Sequence, residues 1–411
     1  MLELIGFGIL LFSIFLILTN RPNHFPPGPR ALPVIGHLHL LEPLIHHSFR
    51  DISSRYGPII FLRLGSVPCV VASTPELAKE LLKTNDLTFS SRQMDSRAIT
   101  HLTYNSSFAF APYGPFWKFL KKLSTFELLS SRALSQFHPI RKNELQHLLQ
   151  HLLNKSKLGE SVNVTQELLN LSNNIISRMM LGIRCSGNDS QADDAKTLAR
   201  EVTQIFGEFN VSDLVWFCRN LDFQGFRKKY EDVHRRFDAL LENIITNREL
   251  ARKKSGGELQ AEDLLDMMLD TLEDQNSGVE FTRDTIKALV LYWENPLEFQ
   301  PERFLKSNGD TVNDTAAVDI RGQHCQLLPF GTGRRSCPGL ALAMQELSTT
   351  LPAMIQCFEW NLVGPHGEKI NGDGAVDMTE RPGLTVPRAH DLVCAPVPRQ
   401  LDIIQHFLIG V

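Results

Sequence analysis

The chain has 411 residues and a formal net charge of −4, from 42 Lys and Arg against 46 Asp and Glu, which excludes a protein that grips nucleic acid through concentrated positive charge. Hydrophobic residues make up 43% and charged residues 21%, enough to bury a large core in one big domain or two to three smaller ones. The seven cysteines (69, 185, 218, 325, 337, 357 and 394) are scattered and odd in number, with no C-x-x-C or Cys/His cluster, so neither a zinc module nor a disulfide framework is expected.

Residues 4–19, "LIGFGILLFSIFLILT", carry no charge. At ~1.5 Å per residue they span roughly 24 Å, workable in a thin bilayer such as the endoplasmic reticulum. No basic stretch precedes them and no small-x-small cleavage site follows, so a retained anchor over residues 1–20 is expected rather than a cleaved signal peptide. Glu3 lies before the span and Arg21 and Arg30 after it, which keeps the body in the cytosol. "FPPGPR", 25–30, makes residues 21–30 a stiff Pro-rich hinge ahead of a body at 31–411.

In the body, "IIFLRLGSVPCVVAS", 59–73, reads as two β runs joined at Gly65-Ser66. "TPELAKELLKTN", 74–85, reads as a helix with Thr74 as N-cap and Pro75 at its first position. Helical patterns follow at 115–126, 138–154, 164–181, 194–209, 227–252 and 260–273. At 281–304, "FTRDTIKALVLYWENPLEFQPERF", Thr282 can cap a helix, Asp284 suits its first turn, and Ile286, Leu289 and Val290 share a face. That stripe then meets Trp293, Asn295 and Pro296: either an ordinary helix stop or a join between segments that do not belong together. A helix at 340–356 and short apolar runs broken by Gly and Pro close the chain. The fold class expected is mainly α with a small, terminally placed β part.

The sharpest local signal is "FGTGRRSCPG", Phe330 to Gly339, which has the makings of a site for a metal-bound thiolate. Gly331 and Gly333 let the backbone turn tightly beside a flat ligand. Cys337 precedes Pro338, which suits the first position of the following helix, so a thiolate there gains from the helix N-terminus. Gly339 leaves room above the sulfur, and Arg335 can meet a carboxylate in a bidentate fork.

The pattern F-x-x-G-x-R-x-C-x-G resembles the haem-binding loop of the cytochrome P450 family, and "PERF", 301–304, stands upstream of it as in that family. "PYGPFWKFLKKL", 112–123, looks like the helix whose Trp and cation face the haem propionates, here Trp117 and Lys121. "FPPGPRALPVIGHLHLL", "LTYNSSFAFAPYG" and "RPGLTVPRAHDLVC" look most like the plant flavone synthase II and flavanone 2-hydroxylase group. The resemblance implies haem b with its iron on Cys337, held also by Phe330, Gly331, Gly333, Arg335, Gly339, Trp117 and Lys121. It implies electrons from NADPH through a membrane-bound reductase, met by a basic face of Lys118, Lys121, Lys122 and Arg334. It implies a flavanone substrate oxidised to a flavone or 2-hydroxyflavanone, contacted by 98–112, 205–217 and Leu384–Thr385, and an endoplasmic reticulum location.

Two family elements are absent: the A-G-x-[DE]-T run of the haem-crossing distal helix, whose acid and alcohol deliver protons, and the E-x-x-R helix that pairs with the Arg of PERF, here Arg303. Glu249–Arg252 and Glu280–Arg283 fit the second pattern but lack its setting. "FTRDTIKALV" resembles the start of the distal helix, and "YWENPLEFQPERF" a far later segment, so a deletion junction near 290–292 is expected, with roughly 100 residues missing against relatives of about 500. The expected fold is therefore an incomplete P450 fold with no catalytic acid/alcohol pair retained. Pro352 inside the last helix is a further departure, expected to kink or weaken it by ~3 kcal/mol unless accommodated. Three readings follow: a membrane-anchored monooxygenase, a non-catalytic tethered relative that binds haem weakly or competes for the reductase, or a splicing product without a stable fold.

Overall fold

A computed structural model describes residues 25–291, 322–400, Ile404 and Phe407, except 93–95, 107, 185–196, 199–200, 203, 209, 219, 223, 255–262, 274–280, 324, 365–375 and 383–385. The expected anchor, part of the hinge, Trp293–Phe304 and the Leu384–Thr385 contact lie outside these residues. Among the described residues no helix is long and apolar enough to cross a membrane.

Helix α1 (Ile45–Tyr56) leads into an antiparallel hairpin, β1 (Ile59–Leu64) with β2 (Val67–Ala72), in register from Ile59↔Ala72 to Leu64↔Val67. Gly65 opens its turn at φ +63°, and a Cβ there would stand 2.3 Å from the Leu214 carbonyl oxygen, so the close approach demands glycine. Ile60 and Leu62 alternate inward and join Ile52 in a small core of their own. In α2 (Pro75–Lys79) the Thr74 hydroxyl accepts from the Leu77 N–H at 3.4 Å, as the cap reading requires.

The large core is helical. It gathers α3 (Arg97–Leu102), α4 (Pro115–Lys122), α5 (His138–Lys157), α6 (Val164–Leu181), α7 (Phe226–Lys254), α8 (Leu264–Glu273), α9 (Arg283–Leu291) and α10 (Leu340–Cys357). The 164–181 reading matches α6 at both ends: Asn163 accepts from the Gln166 N–H at 2.9 Å, and Gly182 terminates the helix at φ +69°. Helix α7 buries Phe226, Tyr230, Val233, Phe237, Leu241 and Ile245, one apolar stripe at spacings of three and four. Helix α8 starts at Leu264, later than the pattern suggested, because Asp263 accepts from the Asp266 N–H at 3.0 Å and caps it there. Thr282 caps α9 as read, accepting from the Thr285 N–H at 3.3 Å, and Ile286, Leu289 and Val290 are buried.

One expectation is corrected. The β part is not confined to the ends of the chain: β3 (Val162–Asn163), from between two central helices, forms a three-stranded sheet with β4 (Phe358–Leu362) and β5 (Val393–Pro398) in the order β3-β5-β4. Pro352 stands inside α10, which is continuous from Leu340 to Cys357.

Candidate functional site

The thiol loop is built by its own backbone. The Gly331 N–H donates to the Leu328 carbonyl at 3.1 Å, Ser336 N–H to Gly333 at 3.1 Å, and Cys337 N–H to Phe330 at 2.9 Å. Gly333 sits at φ +69°, where a Cβ would come 2.0 Å from the Leu82 carbonyl oxygen, so only glycine lets the loop lie on the 80–84 turn. A Cβ on Gly339 would lie 3.6 Å from the Cys337 sulfur, so glycine keeps that side of the sulfur clear. Cys337 itself is exposed. One expectation shifts: α10 begins at Leu340 with Gly339 at its N-cap, so Pro338 stands before the helix and not at its first position.

Around the loop lies a polar arrangement in which Arg335 and Lys121 meet main-chain carbonyls. Arg335 stacks over Trp117 with its guanidinium carbon 4.4 Å from the ring centroid. Its Nε donates to the Ser90 carbonyl at 2.6 Å and its Nη atoms to the carbonyls of Phe108 and Ala111. Burial pushes its pKa down to about 10, with Arg92 adding to the shift. In this structure a cradle of main-chain carbonyls holds the guanidinium in place. Lys121 Nζ donates to the Ser336 carbonyl at 2.5 Å, one residue from the thiol. Burial lowers its pKa most, partly offset by the Cys337 sulfur and reinforced by Arg335. Trp117 is 4% exposed, and its indole N–H has no acceptor among the described residues.

Two half-buried cations without a carboxylate among the described residues, beside an orphaned N–H and an exposed thiol, suit a planar ligand that brings two carboxylates and a metal. The residues present on this side fit haem. The structure thus brings together Cys337, Arg335, Gly331, Gly333, Gly339, Trp117 and Lys121, with Phe330 as the acceptor that anchors the Cys337 backbone.

The basic face is smaller than expected. Lys118, Lys122 and Arg334 are exposed, whereas Lys121 is turned inward on the Trp117 side of α4. Lys118 lies 4.9 Å over the Tyr113 ring, and Arg334 pairs with Asp86 at 3.2 Å and donates to the Tyr113 hydroxyl at 3.1 Å.

Among the described residues, the first E-x-x-R look-alike, Glu249 to Arg252, is not a pair within itself. Glu249 pairs with Arg283 across helices at 2.5 Å, and Arg252 with Asp270; Glu280 lies outside the described residues. Sequence reasoning missed a group at the start of α9. Lys287, 7% exposed, donates to Asp238 at 2.6 Å and reaches Glu242 at 2.9 Å, and the Tyr104 hydroxyl donates to Asp238 at 2.9 Å. A lysine set among Ile286, Ala288, Leu289 and Val290 was its sequence signal.

The cytochrome P450 family profile matches in two stretches, 26–292 and 291–385, which meet where the distal-helix start gives way to a later segment. Cytochrome P450 93B16 of Glycine max is 44% identical over 507 aligned positions, covering 95% of each chain. Cytochrome P450 93B2 of Gerbera hybrida is 44% identical over 504, covering 96% of each. A 2-hydroxyisoflavanone synthase of Glycyrrhiza echinata is 34% identical over 497, covering 93% of each. Since 95% of 411 residues is about 390, about 117 of the 507 positions in the first alignment have no residue of this chain opposite. The fold is mainly helical and incomplete relative to these plant relatives, and the chain belongs to the cytochrome P450 family.

Proposed function

We propose that this chain descends from a haem-thiolate monooxygenase of plant flavonoid metabolism and, as written, holds haem weakly and turns over no substrate. The observation that carries the reading is the pairing of a retained thiolate loop with a two-part family match that closes over the missing distal segment. The flavonoid assignment rests on the relatives, among them the 2-hydroxyisoflavanone synthase and a 3,9-dihydroxypterocarpan 6A-monooxygenase of Glycine max that is 35% identical over 502 positions. A flavanone, oxidised at or beside C2, is the substrate class proposed for the parent enzyme.

When bound, thiolate-ligated haem supplies oxygen activation with electrons that originate in NADPH. The chain's own residues can do the proximal part of that work. Cys337 Sγ would ligate the iron, and Lys121, Arg335 and the Trp117 N–H would meet the propionates. The distal part has no counterpart, because the sequence lacks the acid and alcohol that hold and pass a proton. It also lacks the helix that would wall that face of the pocket against water. Lys118, Lys122 and Arg334 remain available to an acidic reductase, which favours a tethered, reductase-competing relative as the second reading. Residues 4–19 would anchor it in the endoplasmic reticulum membrane with the body facing the cytosol.

The test is a carbon monoxide difference spectrum of the reduced chain, with flavanone turnover in the presence of reductase and NADPH. The expected result is little or no thiolate-type Soret band and no product. A normal band with turnover would overturn the proposal. A transcript read across Leu291–Tyr292 then decides whether the junction is carried by the message.

A further inference from the structure

A second donor set joins the beginning of the body to its end. His46 and His47, in the first turn of α1, both direct Nε2 at one oxygen, Glu380 Oε2, at 2.7 and 3.2 Å. The three ligand atoms lie within 4.8 Å of one another. The two imidazole rings meet edge to face with centroids 4.4 Å apart. The Glu380 backbone is fixed by a β-bridge to Arg388 and by the Arg381 N–H donating to the Pro387 carbonyl at 2.8 Å. On α1, the Leu44 carbonyl accepts from the His47 N–H at 2.9 Å.

We propose that His46, His47 and Glu380 bind a divalent transition-metal ion. Two imidazoles and a carboxylate suit Zn²⁺, Ni²⁺ or Cu²⁺, and not Mg²⁺ or Ca²⁺, which require oxygen donors throughout. Ligand atoms at ~2.05 Å around a tetrahedral ion stand about 3.3 Å apart. The His47–Glu380 spacing already suits this. His46 must retreat by about 0.6 Å, which its 45% exposed side chain can do. Asp51, one helical turn beyond His47, is a further carboxylate on the same helix, itself paired with Arg50 at 2.9 Å.

Three protein ligands leave one position for water or a small anion. The first role of the ion is a clasp: it ties α1 to a residue 334 positions later in the chain. Because the ion binds the folded state, it stabilises the fold by mass action.

The experiment adds Zn²⁺ to the full chain in detergent micelles, with Cys337→Ser as background to remove the exposed thiol. Calorimetry reads stoichiometry and affinity, and thermal unfolding reads the coupling. One zinc per chain is expected, with the unfolded fraction falling about 100-fold when free zinc stands at one hundred times its dissociation constant. The double variant His46→Ala/His47→Ala loses that zinc and its rise in melting temperature, and Glu380→Gln weakens binding by at least about tenfold. The three side chains are 30–45% exposed, so the variants keep the parent fold, checked by circular dichroism. Failure of the background protein to bind zinc, or unchanged binding in the double variant, overturns the proposal. Neither readout involves haem.

Discussion

Glu346 offers a direct test of how burial sets charge in this fold. It lies on α10 behind the thiol loop, and burial raises its carboxyl from 4.5 to about 7. The Ser172 hydroxyl, donating at 3.3 Å, and the charge of Arg141 oppose the shift without cancelling it. The other carboxylate oxygen has no partner among the described residues. The folded carboxyl binds its proton more tightly than the unfolded one, so its ionisation destabilises the fold above pH 7, and the penalty fades as pH falls toward 4.5. The shift corresponds to a penalty of about 3 kcal/mol at pH 8 and about 1 kcal/mol at pH 5. Glu346→Gln keeps an acceptor for Ser172 and removes the charge. It should therefore stabilise the chain by about 3 kcal/mol at pH 8 and much less at pH 5. The assay is urea unfolding followed by circular dichroism at both pH values, parent beside variant. A loss of stability at pH 8, or a gain of the same size at both pH values, refutes the reasoning.

Other expectations follow from contacts that leave no slack. Gly333→Ala places a Cβ 2.0 Å from a backbone oxygen at φ +69°, whereas Gly159→Ala, at φ +68°, meets nothing within 4 Å. Thermal unfolding should show a loss of about 1 kcal/mol at Gly159 and at least about 2 kcal/mol more at Gly333. Glu144 is 1% exposed and accepts from Arg178 at 2.7 Å, Arg184 at 3.0 Å and Asn174 at 3.2 Å. Glu144→Ala should cost about 2–3 kcal/mol in denaturant titrations, below the full value for a buried pair because both arginines reach solvent, and Glu144→Gln should fall between.

Where local chemistry decides, the sequence was a good guide. Thr74 and Thr282 cap the helices they were expected to cap, and Gly65 turns the hairpin as its neighbours suggested. The loop from Phe330 to Gly339 was recognisable because its glycines and cysteine answer to one another within ten residues. Lys121 was given two places, beside Trp117 and on the basic face, and the structure takes the first: Trp117 and Lys121 are four apart and share a face, as do Lys118 and Lys122 on another. What could not be read depends on distant partners. Strand β3 has only two residues, too few for any period, and exists because Cys394 and Val393 lie opposite it. Glu346 reads as an ordinary helix surface residue until Ser172, on α6, is found against it. The Glu249–Arg283 pair likewise links two patterns that look self-contained in the sequence.

The β3-β5-β4 sheet has a consequence for how the chain holds together across residues 292–321. Val162 lies before that stretch and pairs with Cys394 after it; Lys121 reaches Ser336, and Arg335 reaches Ser90 and Ala111, across the same divide. The two parts are laced by main-chain and side-chain bonds that do not pass through the stretch between them. A chain cut once in that interval is therefore expected to keep its two parts associated, which gel filtration of the nicked protein would read.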